Sequence, residues 1–221
     1  MKLHQAFWDS RSLSRFKRLL PFLLWVCFSC TPVGEEPRLS IKASFFDIGQ
    51  GDAALVEFPG GATLLVDAGP ERSGLDTLLY NRGVRSIDQV VVSHAQADHY
   101  GGLFDIARKV KIRKLGLPPL SFSPPSVRYL ALMRLLVDTL GVDTVVLLRG
   151  DKITGLGEAS AICLWPDTGK MIFEQSDSVN ARAIVLRVAL GEGSLLFTGD
   201  INFDAERELL SLGILEKTDV L

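Results

Sequence analysis

Cysteine, net charge and long apolar runs are all scarce in this chain of 221 residues, and each shortage removes a class of explanation. The three cysteines, Cys27, Cys30 and Cys163, make no disulfide framework, because two of them fall inside one apolar N-terminal stretch. A formal charge of −2 exerts no global pull toward nucleic acid or an anionic membrane, so any such contact needs a local patch. The most apolar run, over 19–28, is shorter than the roughly 20 residues a spanning helix requires. Histidine is equally rare: only three are present, and two of them stand in a single segment.

What is present is apolar enough, at 47% hydrophobic, for one domain with a full core and an N-terminal addition. Lys2, Arg11, Arg15, Lys17 and Arg18 precede the apolar run, the order of a secretory signal, so residues 1–30 are expected to be a leader. Ser29-Cys30 is similar to a bacterial lipobox, in which Cys30 would carry lipid; a short membrane anchor is the alternative. Residues 31–39 then form a linker and 40–221 the domain, exported to the cell envelope and tied to the membrane by leader or lipid.

The domain opens as a meander of strands broken by Gly49-Gln50-Gly51 and Pro59-Gly60-Gly61. Asp47, Asp52 and Asp67 fall at strand ends, where each would orient ligands from behind or cap a turn. Helices are expected over 75–82, 103–110, 127–140 and 205–212. Over 127–140 the stripe Leu130, Met133, Leu136, Val137 and Leu140 is read as the core face. Strands are expected over 87–93, 144–148, 159–165, 183–190 and 194–198, which makes this a mixed α/β (α+β) chain.

The most informative segment is Val90 to Leu103. A β-branched run ends in His94, Gln96, Asp98 and His99 just where a buried strand would leave its sheet. Two imidazoles and a carboxylate at a strand exit suit zinc, manganese or iron; a satisfied histidine pair is the plain alternative. Asp200 stands at a second strand exit, as a ligand or as a helix cap. Arg108, Lys109, Lys111, Arg113 and Lys114 form the densest basic run, which would hold a polyanionic substrate or be a solvated helix end before an edge strand. Asn180 closes a polar loop and is a weaker candidate for substrate contact.

Four separated segments, Phe46 to Ala53, Asp67-Ala68-Gly69, Ser93 to Leu103 and Phe197 to Asp200, resemble in order the signature of the metallo-β-lactamase superfamily. Within it they are most similar to the hydrolase-like domain of ComEC-type DNA-uptake proteins and their stand-alone relatives. The resemblance implies an αββα sandwich with a metal site along one edge. By motif position it makes His94, Asp98, His99 and Asp200 metal ligands, and Asp98 also the residue that orients the nucleophile. Gln96 stands where a second histidine, or in many ComEC-type domains an aspartate, would be, and is a weak ligand. Trp165 lies where some relatives carry histidine. The last family ligand would fall beyond Leu221, so the sandwich is expected to be incomplete at its C-terminal end. One or two zinc or manganese ions would lower the pKa of a water, and the hydroxide would attack a phosphodiester such as DNA. The alternatives are an inactive or metal-poor envelope binding protein and a fragment of a longer hydrolase. No protein partner is implied.

Overall fold

The computed structural model describes residues 40–119, 125–167, 169 and 179–220. The leader, the linker, Cys30 and parts of the loops expected before residue 125 and after residue 166 lie outside them. The described residues belong to one compact unit, Arg38–Leu221.

Two sheets organise it. The first runs in chain order: β1 (Lys42–Phe45), β2 (Ala54–Glu57), β3 (Thr63–Val66), β4 (Ser86–Val91), β5 (Lys111–Leu117) and β6 (Asp143–Val146). Its β1–β3 meander is antiparallel, while β3 to β6 are parallel and joined by the long crossovers that parallel neighbours need, here carrying helices. The second sheet is antiparallel, in the order β10 (Gly193–Phe197), β9 (Val185–Leu190), β8 (Ser160–Trp165) and β7 (Lys152–Ile153). Val220 adds one parallel bridge at Leu195.

The layers follow from strand alternation. Leu55, Leu65 and Val90 turn to one face and join Leu75, Leu79, Leu103, Ile106 and Tyr129. Val56, Leu64, Val66 and Val91 turn to the other and meet Ala161, Cys163, Leu186 and Val188 of the second sheet. Leu164, Trp165 and Val185 pack outward on Ala205 and Leu209. Helix, sheet, sheet, helix is therefore the order of the packing. Each fully buried leucine contributes about 1.5–3 kcal/mol.

On the first sheet lie α1 (Leu75–Asn81), α2 (Ala97–Tyr100), α3 (Leu103–Ile106) and α4 (Val127–Met133), the last continuing as a π-helix over Arg134–Thr139. On the second lies α5 (Phe203–Ser211). The helix expected over 103–110 stops at Ile106, and β5 is an interior strand between β4 and β6, not an edge. The core face of α4 is also corrected. Tyr129, Leu132 and Leu136 are buried while Leu130, Val137 and Leu140 are exposed. Two apolar stripes run side by side on this helix, and the one carrying Tyr129 is selected by its edge-on contact with Tyr100, 5.2 Å between ring centres.

Candidate metal centre

The site collects at the C-terminal ends of β3, β4 and β10. Parallel pairing brings Val66 beside Val91, and the ladder extends by one bond, from Asp67 N to Val91 O at 2.8 Å. Asp67 then leaves the strand with a left-handed φ of 55°, a conformation aspartate tolerates better than most residues. Its carboxylate crosses to the segment that follows β4. Oδ1 accepts from Ser93 N at 2.7 Å and Oδ2 from Ser93 Oγ at 2.6 Å, so the side chain carries on the ladder where the backbone stops.

Two glycines make room for the ligand segment. A Cβ on Gly102 would lie 2.0 Å from Ala68 O, and one on Gly51 would lie 1.9 Å from Asp98 O. Backbone contact at both points lets α2 sit against the β3 exit. Ala68 N donates to His99 O at 2.8 Å and fixes that contact. On the far side, Ile184 N donates to Ser93 O at 2.8 Å, which ties the β4 exit to the chain entering β9.

His94 and His99, 0% and 1% exposed, bring their rings to 4.1 Å between centres. Asp200 Oδ2 faces both, 3.9 Å from His94 Nε2 and 3.6 Å from His99 Nε2. Asp200 is not a helix cap; Asn202 Oδ1 caps α5 by accepting from Ala205 N at 2.9 Å. The protons of this group can be counted. The Ser93 hydroxyl has one, held by the Asp67 carboxylate, so toward His94 Nδ1 at 2.9 Å the oxygen accepts. His99 Nδ1 donates to Asp67 Oδ2 at 2.9 Å. Both rings thus turn a protonated Nδ1 toward Ser93 and Asp67 and present Nε2 to the Asp200 carboxylate.

Electrostatics separate the two rings. Burial pushes the His94 pKa down, and the neighbouring His99 adds to the fall against Gln96, Asp67 and Asp200, which favours the neutral ring. His99 moves the other way: burial alone would lower its pKa, but the Asp67 hydrogen bond and the fields of Asp67, Asp200 and Asp98 outweigh it. Partial burial raises Asp52, helped by Asp67 and Asp200 and opposed by His99 and His94.

The donors fit a divalent cation. His94, His99 and Asp200 place their ligand atoms within 4.8 Å of one another, and Asp52, Asp67 and His99 form a second such group. An ion with bonds of about 2.0–2.2 Å spans ligand atoms roughly 3.4 Å apart, a few tenths inside the observed spacings. Nε2 of both rings and the Asp200 carboxylate converge, and hydrogen bonds from behind orient both imidazoles.

The other expected residues are placed as follows. Asp98 lies outside both groups and accepts from Gln50 Nε2 at 3.3 Å, on a cleft of about 520 Å³ lined also by Glu71, Tyr100 and Arg128. Asp47 is exposed and belongs to neither group. Gln96 Oε1 is 3.1 Å from His94 Nε2, and its Nε2 donates to Asn180 Oδ1 at 3.0 Å, so Asn180 faces Gln96. Trp165 Nε1 donates to Ala181 O at 2.8 Å, and its ring fills the core in place of a ligand.

The basic run does not reach the cleft. Lys111 pairs with Ser86 at the start of β4, and His94 follows eight residues on, roughly 25 Å away at strand rise. Lys109 is paired with Asp76, Arg113 with Asp88 and Arg108 with Asp105. The cation that does line the cleft is Arg128, paired with Glu71 and stacked over Phe104 at 4.0 Å. It was not singled out in the sequence, and neither was Ser93, whose only signal is a hydroxyl one residue before a ligand-type histidine.

A family model described as "Metallo-beta-lactamase superfamily" matches residues 46–163. The chain is 25% identical over 219 residues to ComE operon protein 3 of Bacillus subtilis (strain 168), covering 90% of this chain and 26% of that protein. It spans about a quarter of that relative's length. Among solved structures it is similar to CmlA, a diiron beta-hydroxylase from Streptomyces venezuelae, at TM-score 0.51 and 19% identity over 84% of this chain and 34% of that one. It is also similar to a metallo-beta-lactamase from Staphylococcus aureus subsp. aureus COL, at TM-score 0.50 and 13% identity over 80% and 53% of the two chains. At these identities the structural likenesses speak to the fold.

Proposed function

Because the chain belongs to the metallo-beta-lactamase superfamily, we propose that it is a metal-dependent hydrolase of phosphodiesters, with DNA as the class of substrate. The observation that carries this reading is the convergence of His94 Nε2, His99 Nε2 and Asp200 Oδ2 on one point. A bound divalent ion, zinc or manganese, would supply Lewis acidity toward a phosphoryl oxygen and a lowered pKa for water.

The chain's own residues do the rest. Asp67 and Ser93 hold the imidazoles in the tautomer that ligates. Asp98, on the rim of the cleft, is the carboxylate we assign to orienting the attacking group, itself steadied by Gln50. Arg128 gives an otherwise acidic cleft one positive contact for a phosphate. The match to ComE operon protein 3 and the resemblance of the signature segments to ComEC-type domains support DNA as the substrate class. The basic, then apolar, N-terminal stretch supports export to the cell envelope, held there by leader or lipid.

The test is metal analysis of the purified protein with hydrolysis of bis(p-nitrophenyl) phosphate and of DNA under added Mn²⁺ or Zn²⁺. Hydrolysis that disappears in His99→Ala is the expected result. Absence of hydrolysis with either ion would overturn the enzyme reading; bound metal without hydrolysis would leave a metal-containing binding protein.

A further inference from the structure

The amide pair Gln96 and Asn180 plays no part in the reading above, yet it touches the cation site. The Ser93 hydroxyl is committed to Asp67 at 2.6 Å, so His94 Nδ1 holds the ring proton and Nε2 presents a lone pair. Gln96 Oε1 faces that lone pair at 3.1 Å. Two acceptors at this distance repel each other unless a cation lies within reach of both. The spacing is that of two ligands on one ion, close to the roughly 3.4 Å expected of neighbouring donors.

The other end of the amide is fixed. Gln96 Nε2 donates to Asn180 Oδ1 at 3.0 Å. Asn180 sits on the 3-10 turn Val179–Arg182, and the Ala181 carbonyl of that turn accepts from the indole of Trp165, 1% exposed. A buried tryptophan therefore holds the turn, the turn holds Asn180, and Asn180 holds the amine end of Gln96 away from the site.

We infer that Asn180 is a positioning residue that turns the Gln96 carbonyl onto the cation shared by His94, His99 and Asp200. The donor set becomes two imidazole nitrogens and two oxygens. Amide oxygen is a hard, neutral donor, and zinc gains more than manganese does when imidazole takes its place, so this set narrows the preference for zinc. The inference rests on the cation site proposed above and not on hydrolysis.

The experiment uses the full chain stripped of metal, titrated with Mn²⁺ by electron paramagnetic resonance and with Zn²⁺ by competition against a chromophoric chelator. Thermal melting of each metal-free variant is followed in parallel. Asn180→Ala should weaken both ions about tenfold while the metal-free melting temperature stays unchanged. Asn180→Asp, whose carboxylate still accepts from Gln96 Nε2, should bind at least as tightly as the wild type. Gln96→His should raise the zinc-to-manganese affinity ratio about tenfold or more, and it tests the ligand position even if Asn180→Ala is unstable.

Wild-type affinities in Asn180→Ala, or an unchanged ratio in Gln96→His, would overturn the inference. So would equal weakening in Asn180→Asp and Asn180→Ala, the result expected if the two amides were turned the other way. A wild type that binds neither ion removes the metal site and the inference together. Metal binding without hydrolysis of any diester removes only the hydrolase reading.

Discussion

Asp67 and Ser93 hold each other by two hydrogen bonds at 2.7 and 2.6 Å, one to the serine amide and one to its hydroxyl, and the candidate metal site is hung from that pair. Removing the carboxylate and removing its charge should therefore have different effects. Asp67→Asn keeps a side chain that tolerates the left-handed backbone, and should lower the His99 pKa and weaken metal binding about ten- to a hundredfold. Asp67→Ala should do the same and also cost about 2–4 kcal/mol of stability, because buried partners lose their acceptor. Histidine NMR titration, metal titration and urea denaturation separate the two.

His99→Ala removes both the Nε2 donor and the partner of Asp67. Metal affinity should fall at least about a hundredfold, and hydrolysis should disappear. A protein that retained activity would reveal a contaminating hydrolase.

Gly51→Ala places a methyl 1.9 Å from Asp98 O, at a backbone φ of 84° that disfavours any side chain. The strain should cost about 1–3 kcal/mol and displace Asp98. Hydrolysis should fall by a larger factor than stability alone explains, measured at a temperature where the variant remains folded.

Two buried groups predict alkaline sensitivity. Burial pushes the Cys163 thiol from 9.0 up to about 12, and pushes the Tyr129 hydroxyl from 10.0 up to about 12 with help from Tyr100. The folded state holds these protons more tightly than the unfolded state. Their contribution is thus complete below pH 9 and is lost as pH climbs toward 12. Each group costs about 1.4 kcal/mol per pH unit once its unfolded form is ionised. Urea midpoints between pH 8 and 11 should fall accordingly, and the Cys163 peptide should resist iodoacetamide until the protein unfolds.

The basic run offers a negative control. Lys111→Glu lies at the opposite end of β4 from His94, more than the screening length of about 10 Å at 0.1 M salt away. Hydrolysis of bis(p-nitrophenyl) phosphate should stay within about twofold of wild type, whereas Arg128→Ala should reduce turnover of DNA more than that of the small diester.

Much of the scaffold was legible because alternation leaves few choices: Val90 and Val91 must face opposite layers, and they do. His94 and His99 follow β4 of the first sheet and Asp200 follows β10 of the second, so what suggested their meeting was the order of the signature segments, not any one strand. What stayed hidden depends on contacts distant in sequence. Gln96 and Asn180 are 84 residues apart and carry no mutual signal. The Tyr129 face of α4 is chosen by Tyr100, and the two-residue β7 is too short for any periodicity. Charge density misled for a related reason, since Asp76 and Asp88, which neutralise Lys109 and Arg113, lie on other elements.

The bond from Ile184 N to Ser93 O joins the exit of β4 to the entrance of β9 within the residues that carry His94. A motion that parted the two sheets at this seam would have to pull on the ligand segment itself. Breathing of the sandwich and release of the ion thus become one event, and the exchange rate of the Ile184 amide with deuterium becomes a clock for both. Saturating metal should slow that clock in proportion to its binding, as any ligand held only by the closed form must.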